Sequence, residues 1–145
     1  MTRIVFLDAD PANPGDLAWS PLEACGELAV HSASTPREVL ERIAGADVVV
    51  TNKCRLGADQ FARAPGLKLV CEYATGYDNI DVQAARAAGV TVCNAPAYST
   101  DSVAQTAVAL LLELTQRAGL HSDAVHAGEW SARPSFCFWK APLVE

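Results

Sequence analysis

Five short apolar runs, each closed by a turn or cap signal, constrain this chain more than any other feature. They lie at residues 3–8, 27–31, 47–51, 67–71 and 90–93, with stretches of helical spacing between them at 16–25, 36–44, 57–64 and 82–88. Strand, helix, strand repeated in this way is βαβ alternation, and parallel neighbours need such helical crossovers. The runs are apolar throughout rather than alternating, so both faces of the sheet should be covered by helices. At 145 residues and 50% apolar, the chain is long enough for one sizeable core.

Local chemistry fixes several helix ends. Thr35-Pro36-Arg37-Glu38 combines an N-cap hydroxyl, a proline at the first helical position and a glutamate that completes a capping box. From there Val39, Leu40, Ile43 and Ala44 share one face, and Gly45 stops the helix. Gly26 closes the helix expected at 16–25, and Gly89 the one at 82–88. The next expected helix starts at Ser99 or Thr100 and runs to about Ala118. It is apolar nearly all round, through Val103, Ala107, Leu110, Leu111 and Leu114 and a second stripe beside them, so it needs a covering partner.

In an open parallel sheet, ligands collect at the loops leaving the C-terminal strand ends. Three such loops stand out. Asp8 and Asp10 end the first run and could hold a metal, as in receiver domains. Thr51-Asn52-Lys53-Cys54-Arg55 leaves the third with two cations, compatible with a carboxylate site or with a solvated loop. Tyr73-Ala74-Thr75-Gly76-Tyr77 leaves the fourth, where Gly76 is expected to permit a backbone geometry that other residues resist and to bare amide donors to an anion. Asp78, Asn79 and Asp81 then supply oxygens for a helix cap, a role that stands beside a binding role for the same loop.

The segments ATGYDNID and GVTVCNAPAYSTDSVAQTAVALLLEL resemble the hinge region of the D-isomer-specific 2-hydroxyacid dehydrogenases. The DSVAQ form, with FCFW and PLVE near the end, is most similar to the glycerate dehydrogenase or hydroxypyruvate reductase branch. The resemblance implies a flavodoxin-like parallel sheet of about five strands with helices on both faces, then a long hinge-crossing helix and an aromatic-rich tail. It divides the chain into a substrate-binding domain at 1–96 and, at 97–145, the hinge, crossing helix and start of a cofactor domain. It also implies a small 2-oxo or 2-hydroxy acid as substrate, such as hydroxypyruvate or glycerate. Lys53, Thr75, Gly76, Tyr77 and Tyr98 fall at positions lining its site, with the carboxylate on the Thr75 and Gly76 amides.

NAD or NADP is the cofactor of such an enzyme, and the resemblance places Thr100 and Val103 beside it. No two glycines stand two apart, so no G-x-G-x-x-G dinucleotide loop exists in this sequence. The catalytic Arg, Glu and His of the family match nothing here, leaving no catalytic residue to assign. The expectation is a substrate-domain fragment, inactive alone and without a cofactor of its own.

A net charge of −6 argues against general affinity for nucleic acid. Five cysteines without a C-x-x-C pair read as free thiols of a reducing compartment, hence a cytoplasmic protein, and no run approaches the length of a membrane span. His121 and His126 stand five apart, off the spacing that would place two metal ligands on one helical face, so no metal is expected. Trp130, Phe136, Phe138 and Trp139 would form an unusual exposed patch in a monomer. They read as interface or interdomain residues whose partner is a second chain or the rest of a cofactor domain, and with the 100–118 helix the favoured expectation is a homodimer through that helix and the 130–139 tail. Two other readings remain: a non-catalytic self-associating module and, through Asp8 and Asp10, a receiver-like metal-binding domain.

Overall fold

The structure, a computed structural model, describes residues 1–135. It divides into two compact units, Met1–Tyr98 and Ser99–Glu145. Phe136, Cys137, Phe138 and Trp139 lie outside the described residues.

The first unit carries β1 (Arg3–Phe6), β2 (Glu27–Val30), β3 (Val48–Thr51), β4 (Leu69–Glu72) and β5 (Thr91–Cys93). All pair in parallel in the order β2-β1-β3-β4-β5, the flavodoxin-like order. Successive side chains point to opposite faces of a strand. Val5 and Leu7 therefore join one buried cluster with Val39, Ile43, Val49, Phe61, Val70 and Ala85. Ile4 and Phe6 join the other, packed against Trp19, Leu22 and Tyr73. The helices α2 (Pro36–Arg42), α3 (Ala58–Arg63) and α4 (Val82–Ala87) bring Val39, Phe61 and Ala85 to the first cluster. Phe6 meets Trp19 and Tyr73 edge-on, at centroid distances of 5.3 and 5.0 Å.

The Thr35 cap is formed as its residues suggest. Thr35 Oγ1 accepts the Glu38 amide, and the Glu38 carboxylate accepts the Thr35 amide at 2.8 Å. The Thr35 amide and then the Thr35 hydroxyl, both donating to that carboxylate, hold the Glu38 carboxyl below its usual range, with Arg42 contributing less.

The helix expected at 16–25 shrinks to α1 (Ser20–Glu23). A helix begun at residue 16 would place Pro21 in its interior, against the carbonyl of Leu17. Instead the Asn13 side chain takes that segment. Its Oδ1 accepts the amides of Gly15 and Leu17, and its Nδ2 donates to Leu17 O at 2.7 Å. Such local side-chain bonds compete with helix initiation.

The second unit holds α5 (Thr100–Gln116) and α6 (Ala118–His126). Ser99 occupies the N-cap position of α5 without a side-chain cap bond. Arg117, in the left-handed region at φ 51, breaks the chain into α6, a helix the apolar spacing had not marked. Val103, Leu110, Leu111 and Leu114 on α5 are all exposed. Among the described residues no helix is long and apolar enough to cross a membrane.

Candidate functional site

The C-terminal ends of β1, β3 and β4 meet at one rim, and the centre of that rim is Asp8. Its side chain is 5% exposed, yet it is not a free acid awaiting a metal. Oδ2 accepts the backbone amide of Lys53 at 2.6 Å, those of Asn52 and Cys54 at 3.2 and 3.3 Å, and the Thr51 hydroxyl at 3.2 Å. The carboxylate thus folds the loop after β3 around itself, as an anion occupies a nest of successive amides. Tyr73 donates its hydroxyl to the Asp8 carbonyl from the side. Burial chiefly, then the Asp8 charge, pushes the Tyr73 phenol up to about 12. Asp10 is exposed, and among the described residues no group of three His, Cys, Asp or Glu could hold a metal.

The loop after β4 is zipped to the loop after β3. Leu56 and Ile80 form a parallel bridge, with Leu56 N donating to Asn79 O at 3.0 Å and Asp81 N to Leu56 O at 2.8 Å. Within this loop Asp81 and Asn79 divide the work. Asp81 is the N-cap of α4 and accepts the Ala84 amide at 2.9 Å. Asn79 caps nothing; its Nδ2 donates to Cys54 O at 3.1 Å and to Glu72 Oε2 at 2.9 Å. Glu72, 2% exposed, closes β4, and its Oε1 has no partner. Burial pushes its carboxyl above the ordinary value, opposed by the Asn79 bond. Burial likewise raises the Cys54 thiol, with the Asp8 charge adding to it.

Two cavities flank this zipper. The smaller, of about 280 Å³, is lined by Asn52, Lys53, Ala74, Gly76, Asp78 and Asn79. Lys53 and Gly76 are thereby brought together. The larger, of about 800 Å³, lies toward Ser34, Val39, Gln60 and Arg55 and shares Lys53, Asp78 and Asn79 with the first. Thr75, Tyr77 and Tyr98 are exposed and line neither cavity. Thr75 Oγ1 donates to Ala95 O, and its carbonyl accepts Asn94 Nδ2, tying this loop to the segment after β5. Thr100 and Val103 stand exposed on the first turn of α5, in the second unit.

The expected geometry of Gly76 is corrected. Its φ lies outside the left-handed region, where Gly15, Gly45, Gly89 and Gly128 do lie, so the turn makes no demand that other residues resist. A Cβ placed there would meet only Asp78 Oδ2, at 3.7 Å. Glycine at this position serves open space in front of the backbone rather than the fold. Among the described residues the amides of Thr75 and Gly76 have no acceptor.

The acid the sequence reasoning passed over is Glu72. A signal existed: a carboxylate directly after the apolar run 67–71 and directly before an aromatic, at a strand end.

The family model for the D-isomer-specific 2-hydroxyacid dehydrogenase catalytic domain matches residues 5–134. A hydroxypyruvate reductase of Blautia hydrogenotrophica is 44% identical over 99% of this chain and 45% of its own length. A glycerate dehydrogenase of Methylorubrum extorquens is 34% identical, again over 99% of this chain and 45% of its own. The chain therefore spans less than half the length of these relatives. The crystal structure of an NADPH-dependent glyoxylate/hydroxypyruvate reductase from Sinorhizobium meliloti superposes with a TM-score of 0.68, at 23% identity over 99% of this chain and 44% of that one. With the parallel sheet order, the joined rim loops and this match over nearly all its residues, the chain belongs to the D-isomer-specific 2-hydroxyacid dehydrogenase family, through its catalytic domain.

Proposed function

We propose that this chain is the substrate-binding part of an NAD- or NADP-dependent 2-hydroxyacid dehydrogenase acting on a small acid of the hydroxypyruvate or glycerate class. The observation that carries the reading is the pair of unpartnered amides at Thr75 and Gly76, beside a cleft that Lys53 also lines. Both residues are exposed, so these N–H groups are open to an incoming oxygen rather than committed to the fold. Two of them with an exposed ammonium suit the two oxygens of a carboxylate. Lys53 makes no ion pair among the described residues, so its charge is available. Its own amide is held by Asp8, which leaves the side chain as its contribution to the cleft.

In this reading the chain's residues bind and orient the acid, with Tyr77 and Tyr98 closing the edges of the site. The nicotinamide supplies or accepts the hydride. The family resemblance assigns Thr100 and Val103 to the cofactor, but the sequence has no glycine cradle for a pyrophosphate, so the residues present do not fit the whole cofactor. The free thiols at Cys25, Cys54, Cys71 and Cys93 suit a reducing, cytoplasmic setting.

Titration of the ¹⁵N-labelled chain with oxamate, an unreactive 2-oxo carboxylate, tests the proposal. Saturable shifts of the Thr75, Gly76 and Lys53 resonances are expected, and they should weaken in Lys53→Met. Shifts scattered over the surface, unchanged by that substitution, would remove the site.

The competing receiver-like reading meets an obstacle in Asp8, whose carboxylate is already engaged by four donors. Self-association is compatible with the dehydrogenase reading rather than opposed to it. The exposed leucines of α5 support a homodimer through that helix.

A further inference from the structure

A buried acid at the end of β4 needs a reason. Glu72 has one oxygen bonded to Asn79 and one bonded to nothing, and burying such a group costs more than an apolar side chain would. Its single partner, however, is the residue on which both rim loops converge. Asn79 Nδ2 donates to Cys54 O as well as to Glu72, while the Asn79 carbonyl accepts the Leu56 amide. Two acceptors on the Nδ2 side fix which way the amide group faces, because the flipped Oδ1 would meet only acceptors.

The charged and titratable groups facing Glu72 come from three elements. Asp8 at the end of β1 disfavours its ionisation, and Lys53 after β3 favours it, while Tyr73, the next residue of its own chain segment, remains a neutral phenol around neutral pH.

We propose that Glu72 is a positioning residue: acting through Asn79, it holds the Asn52–Cys54 loop at a fixed spacing from the Thr75 and Gly76 amides, so that carboxylate binding in the cleft follows its ionisation. The ionised carboxylate is the stronger acceptor for Asn79. Protonation weakens that bond, leaves the Cys54 carbonyl as the firmer of the two acceptors holding the amide, and loosens the cleft. The proposal rests on the carboxylate-binding reading given above.

The cost falls on stability, and its sign follows from linkage. Burial raises the folded-state pKa of Glu72, so the folded state is favoured while the acid is protonated and loses that advantage as pH rises through the raised value. Glu72→Gln, which cannot ionise, should therefore unfold at a higher urea concentration than the wild type at neutral pH. The same variant should bind oxamate less well there. A purely structural role for Glu72 would not produce opposite effects on stability and binding.

The test is ¹H–¹⁵N spectroscopy of the full chain across the whole pH range in which it stays folded, with and without oxamate, whose own carboxyl stays ionised. In the wild type the Asn79 side-chain and Lys53 backbone resonances should titrate together, and the oxamate dissociation constant should rise roughly threefold toward acid, the extra strength of one charge-assisted bond. In Glu72→Gln both dependences should vanish, leaving affinity at the weak acid-side level. Equal pH dependence in the two proteins, or Asn79 resonances that stay fixed throughout, overturns the positioning role. Absence of oxamate binding at every pH overturns the carboxylate reading and the coupling with it, and the two failures are told apart because the Asn79 titration is read without ligand.

Discussion

Asp8 and Lys53 stand 45 residues apart in sequence, and the Asp8 carboxylate accepts the Lys53 amide at 2.6 Å. The bond explains how a lysine on an exposed loop is held at a cleft. Its backbone is fixed from below by a buried anion, while its ammonium is left to the solvent side.

Removing that anion should unfold the loop before it touches any ligand. Asp8→Ala strands the buried amide of Cys54 and the partly buried amides of Asn52 and Lys53, at a cost on the order of 3 kcal/mol. Asp8→Asn keeps one acceptor oxygen and should lose about half as much. Urea denaturation of the three proteins gives the order. An Asp8→Ala protein as stable as the wild type would show that the nest contributes nothing to folding.

Tyr73 links the same anion to alkaline stability. Its phenol is raised to about 12 by burial and by Asp8, above the ordinary value of 10.0. A raised folded-state pKa contributes stability that is complete below the unfolded value and is lost as pH rises toward the folded one. The wild type should therefore lose stability between about pH 10 and about pH 12, and Tyr73→Phe should not show that component. At neutral pH the variant gives up the hydroxyl bond to the Asp8 carbonyl, about 1 kcal/mol. Thermal melts across that pH range separate the two effects.

What could be read before the structure divides along chain distance. The helix at 36–44 was legible because Thr35, Pro36 and Glu38 settle its start within four residues. The strands followed from apolar runs, and the flavodoxin-like fold from the resemblance of the hinge segments to the family. Residues 16–25 misled because their spacing is helical while Asn13 ties residues 13–17 into a local turn and Pro21, fit only for a first helical turn, delays the helix to Ser20. The rim was only half legible: Lys53 and Gly76 stood out as a cation and a glycine at strand ends. The bonds from Asp8 to Lys53 and from Asn79 to Cys54 span 45 and 25 residues, and no local pattern announces a pairing that only the sheet creates.

Gly76 separates fold from function in one substitution. Since its backbone is not left-handed and a Cβ meets only Asp78 Oδ2 at 3.7 Å, Gly76→Ala should change stability by less than about 0.5 kcal/mol. The new methyl would stand at the cleft lined by Lys53 and should weaken oxamate binding about tenfold, roughly 1.4 kcal/mol. Urea melts and oxamate titrations on the same preparation provide the comparison. A variant that binds normally would move the carboxylate away from this turn.

The exposed face of α5 bears on assembly. Leu110, Leu111 and Leu114 are 62%, 59% and 68% exposed, and Val103 continues their stripe about two turns toward the helix start. Contiguous apolar surface of this kind, followed in the sequence by Trp130, is what an obligate contact presents when its partner is removed. Sedimentation equilibrium should accordingly give a mass for the wild-type chain that rises with concentration toward a dimer. Leu110→Glu with Leu114→Glu places two charges on the stripe and should return the chain to a monomer while leaving the sheet unit intact, since neither residue contributes to its core. A wild-type chain that stays monomeric at every concentration would mean that a second copy is not what covers this helix.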